Sequence, residues 1–557
     1  MSHSILAPTN CSFKPTSLPY TTKTLYIACQ SKSSNTDKNQ TPEPKLDRRG
    51  FLLVGFGSSG IYNTTVSNIK KLSPDFLNCV DSQKPDGHPI NCCNPTTPIT
   101  EITDFTPPNP TTTPVRVAAQ SLEGAITLTK YEKAIELMKN LPTDDPRNFT
   151  RQANVHCAYC DGGYNQSGFP DRKFEIHQSW LFFPFHRWYI YFFERICRKL
   201  LEDDTFALPF WNYDSPSGME IPAMFNISDS PLFDPKRDQS HLPPSVVDLT
   251  FGGLTTGLIS PRKQRNYNLN VMYKQMISNG STPKLFMGQP FRPGDDITKM
   301  YGAGSIEIAP HNTVHVWTGD GREIFRENMG VFYSAARDPI FYTHHANIDR
   351  LWDVWVNKLK GKVFNDPDWL ETSFVFYDEE KKAVRVKVKD CLDLSRLGYT
   401  YQEVEDVWLD AKPKPRRLGK RAIRVSCDGE CVFPKMLDGV LNVVVKRRPG
   451  NGTEKTEEEV LVIEGIMYGG DEHVVFDVYV NEENVDLCTP ENVEMLGSFV
   501  SVPHGGRDMG VMRSSMRFGL SSVVAELGVE EEEVVVVTLV RRRGVVTVGG
   551  VRIEFDA

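Results

Sequence analysis

The 557-residue chain lacks several things, and each gap removes a class of explanation. There is no surplus of positive charge: 63 Lys and Arg against 71 Asp and Glu leave 63 − 71 = −8. A mildly acidic protein is a poor surface for phosphate backbones, so nucleic acid is not an expected partner. No run of 18 or more apolar residues occurs, so neither a transmembrane helix nor stable membrane insertion is expected. From Met1 to Thr36 there is no Asp or Glu, and Asp37 is the first acid. Between Ala28 and Ala118 there is no alanine, hence no Ala-x-Ala cleavage site. Core-forming material is plentiful: hydrophobic residues make up 39%, aromatic ones 10% and charged ones 24%, which excludes wholesale disorder. At roughly 100–200 residues per domain, the length suggests two or three units.

The acid-poor leader is rich in Ser and Thr and carries Lys14, Lys23 and Lys32. That composition reads as an organelle transit peptide, with a disordered tail as the alternative. Arg48-Arg49 then precede the apolar run Phe51–Phe56, an arrangement that resembles a twin-arginine export signal. Residues 1–65 are therefore expected to be a chloroplast transit peptide plus a thylakoid signal, directing the chain to the thylakoid lumen.

Residues 79–116, with Cys79, Cys92, Cys93 and many prolines, predict an irregular strap. Helical periodicity predicts helices over Leu122–Leu141, over His186–Leu200 with Pro184 breaking the helix before it, and from His345 to near Gly361. Residues 225–300, rich in Pro, Gly, Ser and Asn, read as long loops. From Lys412 to Arg421 the text becomes basic and Pro-rich, a linker exposed to proteases. Beyond it, β-branched runs at Val440–Val445, Glu459–Ile466, Val474–Val480, Val534–Val540 and Val545–Phe555 predict an antiparallel, sandwich-like domain.

Seven of the 12 histidines fall in two windows: His156, His177 and His186, then His311, His315, His344 and His345. His311 and His315 are four residues apart, so two imidazoles can grip one metal from one helix. His156 and Cys160 share that spacing. His177 and His186 converge if His177 approaches from a preceding loop. A single histidine on an apolar stripe is as well explained as a core residue, but six converging ones point to two metals. An all-imidazole shell suits Zn, Cu, Fe or Ni, and the Irving–Williams order favours copper; spacing alone leaves a dizinc site open.

Asn154-Val155-His156-Cys157-Ala158-Tyr159-Cys160 with Trp180–Arg187 resembles the copper-A region of plant polyphenol oxidases. His311–His315 with Phe341–Trp352 resembles copper B, and Asp368-Trp369-Leu370 and Tyr399-Thr400-Tyr401 extend the likeness. The resemblance implies a mainly α catalytic domain, a four-helix bundle around a dicopper centre with long loops, followed by an all-β sandwich-like C-terminal domain. Residues 66–408 would be the catalytic domain with its Cys-rich strap, 409–432 the linker, and 433–557 a shield that keeps the enzyme latent until an activating protease cuts. The family's Lys-Phe-Asp-Val motif stands here as Val475-Phe476-Asp477-Val478. The implied reaction oxidises o-diphenols to o-quinones with O2 reduced to water, so the partners are O2 and small phenols. An oxygen carrier is the competing use of such a centre, and an aurone synthase a competing oxidase.

By the same resemblance His156, His177 and His186 hold one copper ion and His311, His315 and His345 the second, with His344 on the substrate side or behind the ligands. Cys160 matches the cysteine that forms a thioether with His177; a small buried hydrophobe is the plainer role. Cys79–Cys93 and Cys92–Cys157 match the family's disulfides, and Phe332 the residue that gates the pocket. Glu307, read as one helical turn before His311, and Asn312 match the pair that orients a water for monophenol hydroxylation. Asp349, four residues after His345, is expected to support that ligand or to pair with Arg350 or Lys358. The pairing of Cys427 with Cys431 and the oligomeric state stay open.

Overall fold

Helices begin where the chain supplies caps. Ser121 accepts the Gly124 N–H and opens α1 (Leu122–Lys139), and Asn148 accepts the Thr150 N–H and opens α2 (Phe149–Cys160). The chain is described here from a computed structural model covering residues 70–556, apart from 85, 95–100, 110–111, 252–258, 297–301, 324–325, 417–431, 448–456, 483 and 506–509. The transit-peptide and thylakoid-signal reading of 1–65, and Cys427 and Cys431, lie outside the described residues.

Pro184 does not break a helix. It sits in the first turn of α3 (Phe182–Leu201), where its missing N–H has no intrahelical partner to lose. The stretch read as loops contains α4 (Pro261–Met276), opened by Ser260 with Pro261 in its first turn, and the short α5 (Pro283–Met287). Its buried face carries Gln264, Asn268, Asn270 and Gln275, so hydrophobic periodicity could not reveal it, whereas the Ser-Pro start could have.

His311 and His315 do not share one regular helix. A wide π-turn (Glu307–Asn312) is interrupted by Ala309 in extended conformation (φ −150°, ψ 128°) before Pro310, and α6 (Thr313–Thr318) follows. Hence Glu307 does not sit one regular turn ahead of His311. Finally α7 (Ile340–Asp353) runs into a second π-turn (Val354–Lys358). Helices α2, α3, α6 and α7 surround the histidines, as a bundle should.

Two antiparallel sheets form the C-terminal domain. One has the order Val440–Lys446, Val534–Arg543, Val475–Val480, Met495–Val500. The other has Lys435–Met436, Thr547–Val548, Glu458–Gly469 and Val511–Gly519, with Gly550–Asp556 also paired to Glu458–Gly469. Apolar side chains from both sheets meet in one core. The strands Met495–Val500 and Val511–Gly519 escaped the sequence reading because they hold few β-branched residues. Alternation alone marks the second, with Met512, Ser514, Met516 and Phe518 inward. A short α-helix, Ser521–Leu527, and a 3-10 turn, Val485–Leu487, interrupt the otherwise all-β domain.

Residues 68–557 form one compact unit, and Val475, Val500 and Val502 of the β domain belong to the hydrophobic core of the helices. The first part of the linker is not free: Lys412 pairs with Glu526, Lys414 bridges to Asn492, and Arg416 pairs with Glu482. Residues 417–421, the rest of the basic stretch, lie outside the described residues.

Both expectations for Asp349 are overturned. Its carboxylate pairs with Arg187 and Arg116, and the Tyr399 and Tyr401 hydroxyls each donate to it at 2.6 Å. Arg350 pairs instead with Asp214 and Asp406, and Lys358 with Asp406. Burial pushes the Asp349 carboxyl up, but the two guanidiniums and two hydroxyls more than offset this and hold it below the usual range. Asp349→Ala should cost roughly 3–5 kcal/mol, because Arg187 would be left buried without its anion and Arg116 with Glu194 alone. A denaturant midpoint corresponding to less than about 1 kcal/mol would refute that role.

Candidate metal centre

The sequence places seven histidines in two windows, and the fold brings all seven to one place with every ring buried. His156 comes from α2 and His186 from α3. His177 comes from the loop before α3, where Gln178 in the left-handed region (φ 58°) turns the chain. His311 stands in the π-turn, His315 on α6, and His344 and His345 on α7.

Two groups result. In the first, one potential ligand atom each from His156, Cys160, His177 and His186 lies within 4.8 Å of the others; in the second, the same holds for His311, His315, His344 and His345. The groups adjoin: the rings of His186 and His345 stack at 4.1 Å. His345 also neighbours His156 at 6.4 Å and His311 at 5.0 Å. His344 faces His311, His315 and Tyr213, each 5.0–5.5 Å away between ring centres. Within the second group it is thus the ring that meets Tyr213.

Backbone oxygens fix the rings. Nδ1 of His156 faces the Phe332 carbonyl at 2.9 Å, that of His186 the Phe182 carbonyl at 2.8 Å, and that of His315 the Met329 carbonyl at 2.8 Å. Nδ1 of His311 lies 2.9 Å from Asn312 Oδ1 and 3.3 Å from the Glu307 carbonyl. A carbonyl can only accept, so the three carbonyl-bound Nδ1 atoms carry the proton, and Nε2 is left as a bare lone pair. Nε2 of His156, His186, His311 and His315 is buried with no partner, as are both ring nitrogens of His177, His344 and His345. Burial drives all seven rings toward neutrality, His186 down to about 3 and His315 to about 4. Neutral imidazoles with orphaned nitrogens are what a metal needs, so the donor set fits a pair of copper ions.

Around these rings, Phe332 stacks on His177 at 4.0 Å. Glu307 is buried, and its Oε1 accepts the Gln178 N–H at 2.5 Å while Oε2 has no partner. Asn312 donates to the Val500 carbonyl of the β domain at 2.8 Å. Cys79 is bonded to Cys93 and Cys92 to Cys157, so the N-terminal strap is tied to α2. The sequence reading missed His504. It packs edge-on against Phe332 at 4.6 Å between ring centres, and the Phe332 N–H donates to the Pro503 carbonyl at 3.0 Å. A lone histidine between Pro503 and Gly505 offered little signal. The reading also missed Glu175 and Asp161, buried carboxyls beside the first group that burial raises to about 8 and about 7.

Comparison with known proteins gives three consecutive family matches: the common central domain of tyrosinase over residues 146–358, the polyphenol oxidase middle domain over 364–414, and the chloroplastic polyphenol oxidase C-terminal domain over 433–555. The chloroplastic polyphenol oxidase of Malus domestica is 46% identical over 95% of this chain and 92% of its own length. The chain belongs to the plant polyphenol oxidase family. Aureusidin synthase of Antirrhinum majus is 47% identical over 87% of this chain and 88% of its own. The solved structure of latent apple tyrosinase superposes with a TM-score of 0.77 at 48% identity, covering 82% of this chain and all of that one. The cofactor of this family member is a dinuclear type-3 copper centre, which the two imidazole groups would hold.

Metal binding competes with ring protonation. Because burial holds His315 near 4 and His186 near 3, protons should not compete at pH 5. Metal-free chain should take up as much copper at pH 5 as at pH 7, read as copper per chain after gel filtration; a sharp fall between the two would show ordinary histidines.

Proposed function

We propose that this chain is a latent phenol oxidase that converts o-diphenols to o-quinones with O2 as the oxidant, and that hydroxylates monophenols to a lesser extent. The observation that carries this reading is the set of buried, unpartnered imidazole nitrogens in two adjoining groups. His156, His177 and His186 hold one copper ion; His311, His315 and His345 hold the other, since His345 is the member of its pair that faces both groups. Bound copper supplies O2 binding and two-electron transfer. The protein supplies everything else. The carbonyl-anchored rings keep the ligands from rearranging, Phe332 limits the approach of a phenol ring over His177, and the dry aromatic surroundings exclude water. A thioether between Cys160 and His177 fixes that ring. His344 supports the second group from behind.

Glu307 and Asn312 are assigned to holding a water that accepts the proton of a monophenol. Burial pushes the free Glu307 carboxyl well above the usual range, and the charge of bound cations favours its ionised form. The β domain is the shield. In the shielded chain the Asn312 amide is spent on the Val500 carbonyl, and His504 and Pro503 hold Phe332. The domain limits are 66–408 for the catalytic part, 409–432 for the linker and 433–557 for the shield, and the C-terminal family match over 433–555 supports the last of these. A protease cutting near Arg417–Arg421 would activate the enzyme. The relative's name supports a chloroplast location, and Arg48-Arg49 before Phe51–Phe56 supports the thylakoid lumen. Likeness to aureusidin synthase favours a second reading, in which the same chemistry serves one dedicated phenol.

Oxygen-electrode assays test this. A chain ending after the linker's cut should oxidise a catechol about tenfold or more faster than the intact chain at equal copper content, about 1.4 kcal/mol in barrier. Equal rates would refute shielding. In the trimmed enzyme, Glu307→Gln should lower tyramine hydroxylation relative to catechol oxidation by about 10²-fold, the usual size of a general-base contribution; an unchanged ratio would remove Glu307 from that role.

A further inference from the structure

Among the three histidines of the first group, His177 stands apart. His156 and His186 have a carbonyl on Nδ1, whereas neither ring nitrogen of His177 has a partner. Phe332, stacked at 4.0 Å and 19°, fixes the plane of the His177 ring but not its rotation within that plane. The oxygen available to stop that rotation is on Glu175. Its Oε1 accepts the N–H of Ile176 at 2.9 Å and of His177 itself at 3.1 Å, which pins the carboxyl over the ligand's own backbone. From there Oε1 lies 3.6 Å from Nδ1 of His177. Glu175 is 3% exposed, and its Oε2 is buried with no partner. Cys160, whose thiol burial pushes up and Glu175 pushes further, stands beside the same ring.

We propose that Glu175 is a positioning residue for His177: its pinned oxygen receives the Nδ1–H, which points Nε2 at the copper and holds the ring carbon between the two nitrogens for capture by Cys160. The proposal rests on His177 being a ligand and on the thioether assigned above. A crosslink at that carbon requires the ring to present it to the Cys160 sulfur. The hydrogen bond to Glu175 then selects the ring rotation in which it forms. The step balances with the enzyme's own oxidant. The Cys160 S–H and the His177 ring C–H are broken, one S–C bond forms, and O2 takes the two electrons and two protons as hydrogen peroxide. An acceptor oxygen is required and a negative charge is not, so an amide should serve as well as a carboxylate.

The test uses the full-length chain produced with copper, as wild type, Glu175→Gln and Glu175→Met. Two readouts are taken: the fraction of the Cys160 and His177 peptides recovered joined and two hydrogens lighter by mass spectrometry, and the affinity for copper by competition with a chelator. Wild type and the Gln chain should be crosslinked alike. The Met chain, of similar size but without an acceptor, should lose most of the crosslink and weaken copper binding about 10-fold or more. Glu175→Ala serves the same comparison should the Met chain not fold. A Met or Ala chain crosslinked like wild type overturns the role of Glu175, as does a folded Gln chain that fails like Met. A wild-type chain without the crosslink overturns the thioether assignment itself, and this inference with it.

Discussion

The structure depends on one constraint: an imidazole buried without water must have both nitrogens satisfied. Carbonyl oxygens of Phe332, Phe182 and Met329 take the Nδ1 protons of His156, His186 and His315. Each of these rings then presents a single lone pair inward, and burial keeps the rings neutral. The free energy lost by leaving those nitrogens unpaired is recovered only by a metal. A folded chain of this kind is therefore incomplete without copper.

Holding the carbonyls in place requires the helices to keep their register. Phe182 opens α3, Met329 and Phe332 lie in the loop between α6 and α7, and among the described residues no backbone hydrogen bond joins these two segments directly. The Asp349 cluster does so from below. Arg116 arrives from the strap, Arg187 from α3, Asp349 from α7, and Tyr399 and Tyr401 from the end of the catalytic domain. Five side chains from four distant parts of the chain meet here, Arg116 pairs also with Glu194, and Arg187 lies over the Trp352 ring at 3.8 Å. A network with this many partners holds those segments in register, and removing a member strips a buried charge of part of its compensation.

The β domain reaches the centre through backbone and small polar groups rather than through a large plug of charge. Pro503, His504 and Gly505 run past Phe332 and Asp161, with the Gly505 N–H donating to Asp161 at 2.8 Å. A side chain at Gly505 would come within 2.7 Å of the Gln83 carbonyl, so this approach needs a glycine. On the far side α4 forms the platform, its buried Lys274 donating to the Asn492 and Met495 carbonyls. On the proposed reading, shielding is a property of the packed fold and not of a flexible tail.

Taken by itself, the amino-acid sequence determined the two-part organisation, the helices at α1, α3 and α7, most of the shield's strands, and the metal-binding character of the histidine windows. These are written in local spacing: a period near 3.6 for helices, runs of Val for strands, and rare residue types gathered in short motifs. The tertiary structure decided what spacing cannot encode. Polar residues on the buried face of α4 hid it, and the extended Ala309 broke the expected helix through His311. Asp349 found partners 233 and 162 residues away instead of on its own helix. Which oxygen anchors each ring, and the arrival of His504 and Glu175 beside the centre, follow from packing between distant segments. Burial, and with it the neutrality of every ligand, exists only once those segments have met.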